Sequence, residues 1–223
     1  MPVSKKSAAE KLMSKFIVIE GLEGAGKSTA VSYITKWLAG QNIATCDTVY
    51  TREPGGTALA EKMRAIVKME VTGEKLDDKA ELLLMYAARV QLVEHVIKPA
   101  LVAGKIVVGD RHNMSSLAYQ GGGRGIDLGL IEVIKKVALG DFKADLTLYL
   151  DIDPELGLTR AKGRGELDRI ERQAIDFFDR TRAIFLSLVA KDKNAVTIDA
   201  SQSPALVEKS IFLALDKWVM SVA

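Results

Sequence analysis

Five short apolar, β-branched runs punctuate the chain: KFIVIE (15–20), ATCDTVYT (44–51), KIVVGD (105–110), LTLYLD (146–151) and AVTIDA (195–200). Three are nearly continuous in apolar residues, the pattern of strands covered on both faces of a parallel sheet. Longer stretches with apolar residues at helical spacing separate them, predicting helices over about 27–40, 56–69, 77–102, 127–139, 154–162, 170–190 and 203–221. Strand alternating with helix predicts an α/β fold, a central parallel sheet with helices on both faces. In such open sheets ligands bind beyond the carboxyl ends of the strands. Three strands run directly into EGLEGAGKS, TREPGGT and GDRHNMSS, so the chemistry is expected along that edge.

Composition narrows the picture by exclusion. The 223 residues, 48% hydrophobic and 27% charged, suffice for one core, and no repeat or Pro/Ser-rich linker divides them. A net charge of +2 gives no basic surface for nucleic acid, so neither nucleic acid nor a membrane is expected as a partner. One cysteine, Cys46, rules out an internal disulfide, and with two histidines it leaves no Cys/His metal cluster. The opening MPVSKKSAAEKLMSK has no apolar run, and nothing later is long and apolar enough to span a bilayer, so a cytoplasmic location is expected. Residues 1–14 are read as an N-terminal extension, disordered or tag-derived, and 15–223 as a single domain.

The first strand ends in Gly21-Leu22-Glu23-Gly24-Ala25-Gly26-Lys27-Ser28, followed by Thr29. This is G-x-x-x-x-G-K-[ST] between a predicted strand and a predicted helix, the context a phosphate-binding loop requires. Glycines let successive N–H groups point at an anion, the helix start adds its positive end, Lys27 supplies a charge and Ser28 a hydroxyl for Mg²⁺. Binding of ATP or GTP follows, and the spacing does not suit a dinucleotide fingerprint. Asp110, at the end of another apolar strand, stands where a carboxylate would help hold magnesium.

The remaining cations decide which class of phosphate-loop protein this is. No Asn-Lys-x-Asp segment reads guanine, and arginines occupy several loops, which suits a small-molecule kinase shielding two anionic nucleotides from water. In AELLLMYAARVQLVEHVIKPALV, Arg89 interrupts an apolar stripe of Leu82, Met85, Val93, Val96 and Ala100. Such a guanidinium needs either a core carboxylate or a bound anion. Arg52, Arg64 and Arg111 fall near the same sheet edge, which favours the anion.

EGLEGAGKST, TREPGGT, YAAR, GDRH…SSLAYQGGGRGI and RGELDRIE, in that order from about Phe16 onward, together resemble the thymidylate kinase family in its bacterial form. The resemblance implies a three-layer P-loop kinase fold with a short arginine-rich lid at about 160–170. It also implies transfer of the ATP γ-phosphoryl to dTMP, Mg²⁺ as cofactor, and a homodimer. It places Arg89 and Arg111 near the dTMP phosphate and base, Arg64 near that phosphate, and Glu53 and Pro54 in the monophosphate pocket. Ser115, Ser116 and Gln120 fall at thymine or its sugar surroundings, and Glu23 faces the sugar and the reacting end. Where the family often stacks an aromatic under thymine this chain has Met85, with Tyr86 next to it; either can serve. A related kinase acting on dUMP or dGMP, and a non-catalytic nucleotide-binding regulator, are the competing readings.

The phosphate loop carries a single lysine, yet phosphoryl transfer spreads charge over three equatorial oxygens. Gly163 and Gly165 interrupt the helical pattern of RAKGRGELDRIER, each weakening a helix by about 1 kcal/mol relative to alanine. Arg160, Arg164, Arg169 and Arg172 surround them. The missing cation is expected there, with Arg164 the first choice, in agreement with the family resemblance, and Arg160 the second. QGGGRG (120–125) reads as a flexible turn, and His112 as a pocket wall.

Overall fold

The computed structural model describes residues 8–44, 47–163 and 168–221. Cys46, Arg164 and Gly165 therefore lie outside the described residues. Strands β1 (Phe16–Gly21), β2 (Thr48–Arg52), β3 (Ile106–Asp110), β4 (Leu146–Asp151) and β5 (Ala195–Asp199) form one parallel sheet in the order β2-β3-β1-β4-β5. All six residues of β1 are buried. Ile17 and Ile19 join a cluster with Ile34, Leu38, Ile211 and Leu215, whereas Phe16 and Val18 join Leu82, Tyr86, Ile97 and Ile131. This alternation, one set of side chains to each face, is why an apolar strand here must be covered by helices twice.

The helices are α1 (Ala8–Leu12), α2 (Lys27–Gly40), α3 (Ala58–Lys68), α4 (Asp78–Leu92), α5 (Lys98–Val102), α6 (Asn113–Ser116), α7 (Leu128–Leu139), α8 (Pro154–Lys162), α9 (Ile175–Lys191) and α10 (Pro204–Ser221). Side-chain caps set several of their starts. Thr57, Asp77, Asp127 and Asp153 accept hydrogen bonds from the first-turn N–H groups of α3, α4, α7 and α8. The predicted helix over 77–102 is interrupted by a π-helical turn at Val93–Ile97, and the one predicted from 170 begins at Ile175.

Two features depart from the sequence expectations. Residues 8–12, set aside as extension, form a helix whose Leu12 is fully buried in the core and whose Lys11 Nζ donates to the Val219 carbonyl at 3.3 Å. QGGGRG is no flexible turn, because it closes a π-helical segment (Leu117–Gly123) packed against α9. A Cβ on Gly123 would lie 2.4 Å from the Phe177 ring, so only glycine allows that approach.

After β1 the chain crosses to β2 on one side of the sheet, and after β3 to β4 on the other. The first connection passes β3 and the second passes β1, so the chain's direction across the sheet reverses at the β1/β3 boundary, where a crevice that receives ligands is expected.

Candidate active site

The loop leaving β1 is shaped by close contact with α8. Gly24 has φ +72°, and a Cβ there would sit 2.0 Å from the Gly157 carbonyl oxygen. Unlike its capped neighbours, α2 starts after Gly26 (φ 88°) with no side-chain cap, which leaves its first-turn N–H groups for an anion. Lys27 Nζ donates to the carbonyls of Gly21 and Leu22, at 3.1 and 2.8 Å. Desolvation in the crevice, helped by the Arg111 charge, pushes its pKa down to about 8. The charged form is thus lost as pH rises through about 8 in the free protein, whereas a bound phosphate restores it. We expect kcat/KM for ATP to fall above that pH while kcat holds to higher pH, and Lys27→Arg to remove the limb at whatever activity it retains. A pH profile of initial rates checks this.

A cavity of about 210 Å³ opens in front of the loop. Glu23, Gly24, Gly26, Lys27 and Ser28 of the loop line one side of it, and Glu53, Pro54, Arg64, Met85, Asp110, Arg111, Ser115 and Gln120 line its other walls. Most sequence-predicted site residues therefore meet at one place. Gly21, Leu22, Ala25 and Thr29 belong to the loop or the helix start without lining the cavity. Arg52, Lys68, Tyr119, Asp168, Ile170 and Glu171 line it without having been assigned a role.

Arg111 is the centre of the charge network. Its backbone is left-handed (φ 72°), rare for a non-glycine residue, and its N–H donates to Ile19 O at 2.8 Å. Nη2 donates to Glu23 Oε1 at 2.6 Å and to the Tyr119 hydroxyl at 3.1 Å, while Nη1 donates to Ser115 Oγ at 3.2 Å. The Tyr119 hydroxyl donates to Glu23 Oε2 at 2.7 Å, and the guanidinium lies 4.8 Å from the centre of the Tyr119 ring. Burial works against the Arg111 charge, but Tyr119, Glu23, Asp110 and Glu20 outweigh it and raise its pKa. Tyr119, by contrast, is pushed well up by burial and stays a neutral donor.

Behind the cavity wall Arg89 is 1% exposed and does not reach the surface of the site. It takes the core-carboxylate option: Nε donates to Glu53 Oε2 at 2.5 Å, and Nη2 to His112 O and Ser116 Oγ at 3.1 and 3.0 Å. Its Nη1 has no partner among the described residues. Glu53 Oε1 meets His112 Nδ1 at 2.7 Å. Burial opposes ionisation of Glu53, yet His112 and Arg89 hold its carboxyl below the usual range. Ser116 is fully buried in this layer and His112 nearly so, which makes both supports rather than surfaces. Arg64, half-buried, donates to Pro54 O at 2.7 Å.

Glu20 was missed altogether. It is fully buried, accepting from the N–H groups of His112 (2.9 Å) and Ser115 (3.1 Å) and from Ser115 Oγ (2.5 Å). The signal was available: by strand alternation Glu20 shares a face with Phe16 and Val18, where a carboxylate must find donors. Because Ser115 gives its hydroxyl proton to Glu20, its lone pairs are left for Arg111.

The described lid arginines, Arg160, Arg169 and Arg172, are occupied elsewhere. Arg160 donates to Ala200 O (2.8 Å) and Ser201 O (3.3 Å) rather than reaching the cavity. Arg169 is bonded to Glu81 and to Val67 O, and Arg172 to Glu70. Arg124, within QGGGRG, pairs with Glu81 and Gln173.

A loop that can wrap a polyphosphate, facing a second cation-bearing pocket across a shared cavity, is the working part of a P-loop kinase. That class takes in many acceptors, and similarity to known proteins narrows it. The thymidylate kinase family model matches residues 19–211. A solved thymidylate kinase from Ehrlichia chaffeensis is 30% identical, with a TM-score of 0.74 over 90% of this chain and 98% of that one. The chain belongs to the thymidylate kinase family.

Proposed function

We propose that this chain transfers the γ-phosphoryl group of ATP to dTMP, giving dTDP and ADP. The observation that carries the reading is the single cavity in which the phosphate loop faces Arg64, Arg111 and the Glu53–Pro54 wall. The loop N–H groups and Lys27 hold the donor phosphates, while Arg64 and Arg111 hold the acceptor phosphate in line. Glu53 supports that pocket, and Arg89 acts on it by gripping Glu53. Glu23 anchors Arg111 and keeps lone pairs to accept from a sugar hydroxyl. Met85, lining the cavity while Tyr86 is buried behind it, is the face offered to the base. A phosphate oxygen of dTMP is already a nucleophile, so no general base is needed. The bond from the γ-phosphorus to the bridging oxygen breaks, and ADP leaves with the electron pair.

Magnesium suits the donor set. The Ser28 hydroxyl and Asp110 Oδ1 are hard oxygens lining one cavity, and Asp110 Oδ1 has no hydrogen-bond partner among the described residues. Bound with ATP, the ion would neutralise charge on the β- and γ-phosphates.

Residues 15–223, together with the helix at 8–12 whose Leu12 joins the core, are read as one catalytic domain working as a homodimer. Leu130, Val133 (61% exposed) and Val137 (85% exposed) form an apolar stripe on α7 that a second copy would cover. Val133→Glu is expected to shift the mass measured by sedimentation equilibrium toward the monomer. No described helix is long and apolar enough to cross a membrane, and a cytoplasmic enzyme drawing on soluble nucleotides fits.

ADP release with ATP, Mg²⁺ and a panel of monophosphates tests the reading. Fastest turnover is expected with dTMP; no ADP with any acceptor would sink the kinase reading, and preference for a purine the thymidylate one.

A further inference from the structure

Glu81, on α4, is 1% exposed and receives three side chains. Its Oε1 accepts from Gln120 Nε2 at 2.9 Å, and its Oε2 from Arg124 Nη2 at 3.0 Å and from Arg169 Nη2. Burial alone would protonate such a group, but Gln120, Arg169 and Arg124 together hold its carboxyl below the usual range. An ionised carboxylate has no proton to give, so Gln120 can face it only with its amide nitrogen. The amide oxygen is then turned the other way. Gln120 lines the cavity, and its Oε1 is buried without a partner among the described residues, a state that costs free energy until a donor arrives.

We propose that Glu81 is a positioning residue for base recognition: by clamping the amide nitrogen it makes Gln120 an obligate acceptor, selecting nucleotides whose pyrimidine ring carries an N3–H donor. A cytosine-type ring presents a lone pair at N3 and meets the Gln120 oxygen acceptor to acceptor. Thymine and uracil carry the same N3–H, so this device reads the imide and not the 5-methyl group. The same carboxylate fastens the wall at 168–171, because Arg169 belongs to it and Lys68 holds Asp168 at 2.6 Å beside it. Base reading and wall placement thus share one anion.

The inference rests on the dTMP kinase reading and is tested with two nucleotides that differ only at the edge in question, dTMP and 5-methyl-dCMP. The wild-type protein is expected to favour dTMP by at least about 10³-fold in kcat/KM, because a site built to pair a donor rejects the analogue lacking it. In Glu81→Gln the neutral amide can present either edge, Gln120 can turn over, and the ratio is expected to fall at least about 10-fold. Glu81→Asp, still acceptor-only, is expected to keep the ratio even at lower activity. Loss of packing slows both nucleotides alike and leaves the ratio unmoved, which separates positioning from a merely structural role. Should Glu81→Gln fail to fold, as judged by its melting curve, Gln120→Met carries the test, with the same fall expected. A wild-type ratio near one, or Glu81→Gln or Gln120→Met keeping the wild-type ratio, overturns the proposal. A wild-type protein that turns over neither pyrimidine overturns the dTMP kinase reading, and the inference with it.

Discussion

Arg111→Ala is expected to lower kcat/KM for dTMP by about 10³-fold, with a much smaller change in the KM for ATP. The guanidinium lines the cavity, on the side proposed for the acceptor, and also holds Glu23, Tyr119 and Ser115. Charge-assisted hydrogen bonds contribute about 1.5–3 kcal/mol each. Losing the contacts that the remaining Nε and Nη1 N–H groups of Arg111 are proposed to make to the acceptor phosphate, together with a Glu23 carboxylate left to repel that phosphate, therefore comes to about 4 kcal/mol, or about 10³ in rate. Arg111→Lys should recover little, because one ammonium cannot meet Glu23, Ser115 and a phosphate in the plane the fork provides. The left-handed backbone supplies a control. Arg111→Gly should lose as much activity as Arg111→Ala yet be the more stable of the two by about 1 kcal/mol, since only glycine accepts φ 72° without strain. Initial-rate kinetics and melting curves on the pair decide it; Arg111→Ala within tenfold of wild type would show that the acceptor phosphate is held elsewhere.

What could be read from the chain follows the range of the physics involved. Strands β1, β3 and β4 are legible because continuous burial forces continuous apolar sequence, and the phosphate loop because its glycines and lysine answer a local backbone need. Arg89 shows where local reading stops. Its place in an apolar stripe demanded a partner, but nothing short of the folded sheet says that the partner is Glu53, 36 residues earlier. The same holds for Glu20, whose donors lie 92 and 95 residues on and reach it because β1 and β3 are neighbours. QGGGRG misled for another reason. Glycine clusters mark turns when nothing crowds them, whereas here three consecutive glycines let α9 and the start of α7 approach the π-helical backbone. Tyr119 could have been found, since it follows Ser115 by one helical turn and so shares its face toward Arg111.

The second large effect concerns the cation that stabilises charge on the moving phosphoryl group. Arg164→Ala is expected to lower kcat by at least about 10²-fold while leaving dTMP binding largely intact. Arg164 lies outside the described residues, but the places taken by its neighbours are described. Arg160 is committed to the carbonyls beyond β5, Arg169 to Glu81 and Val67, and Arg172 to Glu70. The loop itself brings Lys27 alone, and Arg64 and Arg111 line the cavity wall opposite it. The three described arginines of RAKGRGELDRIER are thus engaged away from the loop, and sequence resemblance points to this segment for the missing cation. An interaction made only as charge develops on the transferred group lowers kcat when removed and spares ground-state binding. Single-turnover rates and dTMP titration calorimetry on Arg164→Ala and Arg160→Ala separate the candidates. Arg160→Ala is expected to slow turnover far less, because its guanidinium braces the β5 end. Unchanged turnover in Arg164→Ala would return the role to Arg160 or to a residue beyond this segment.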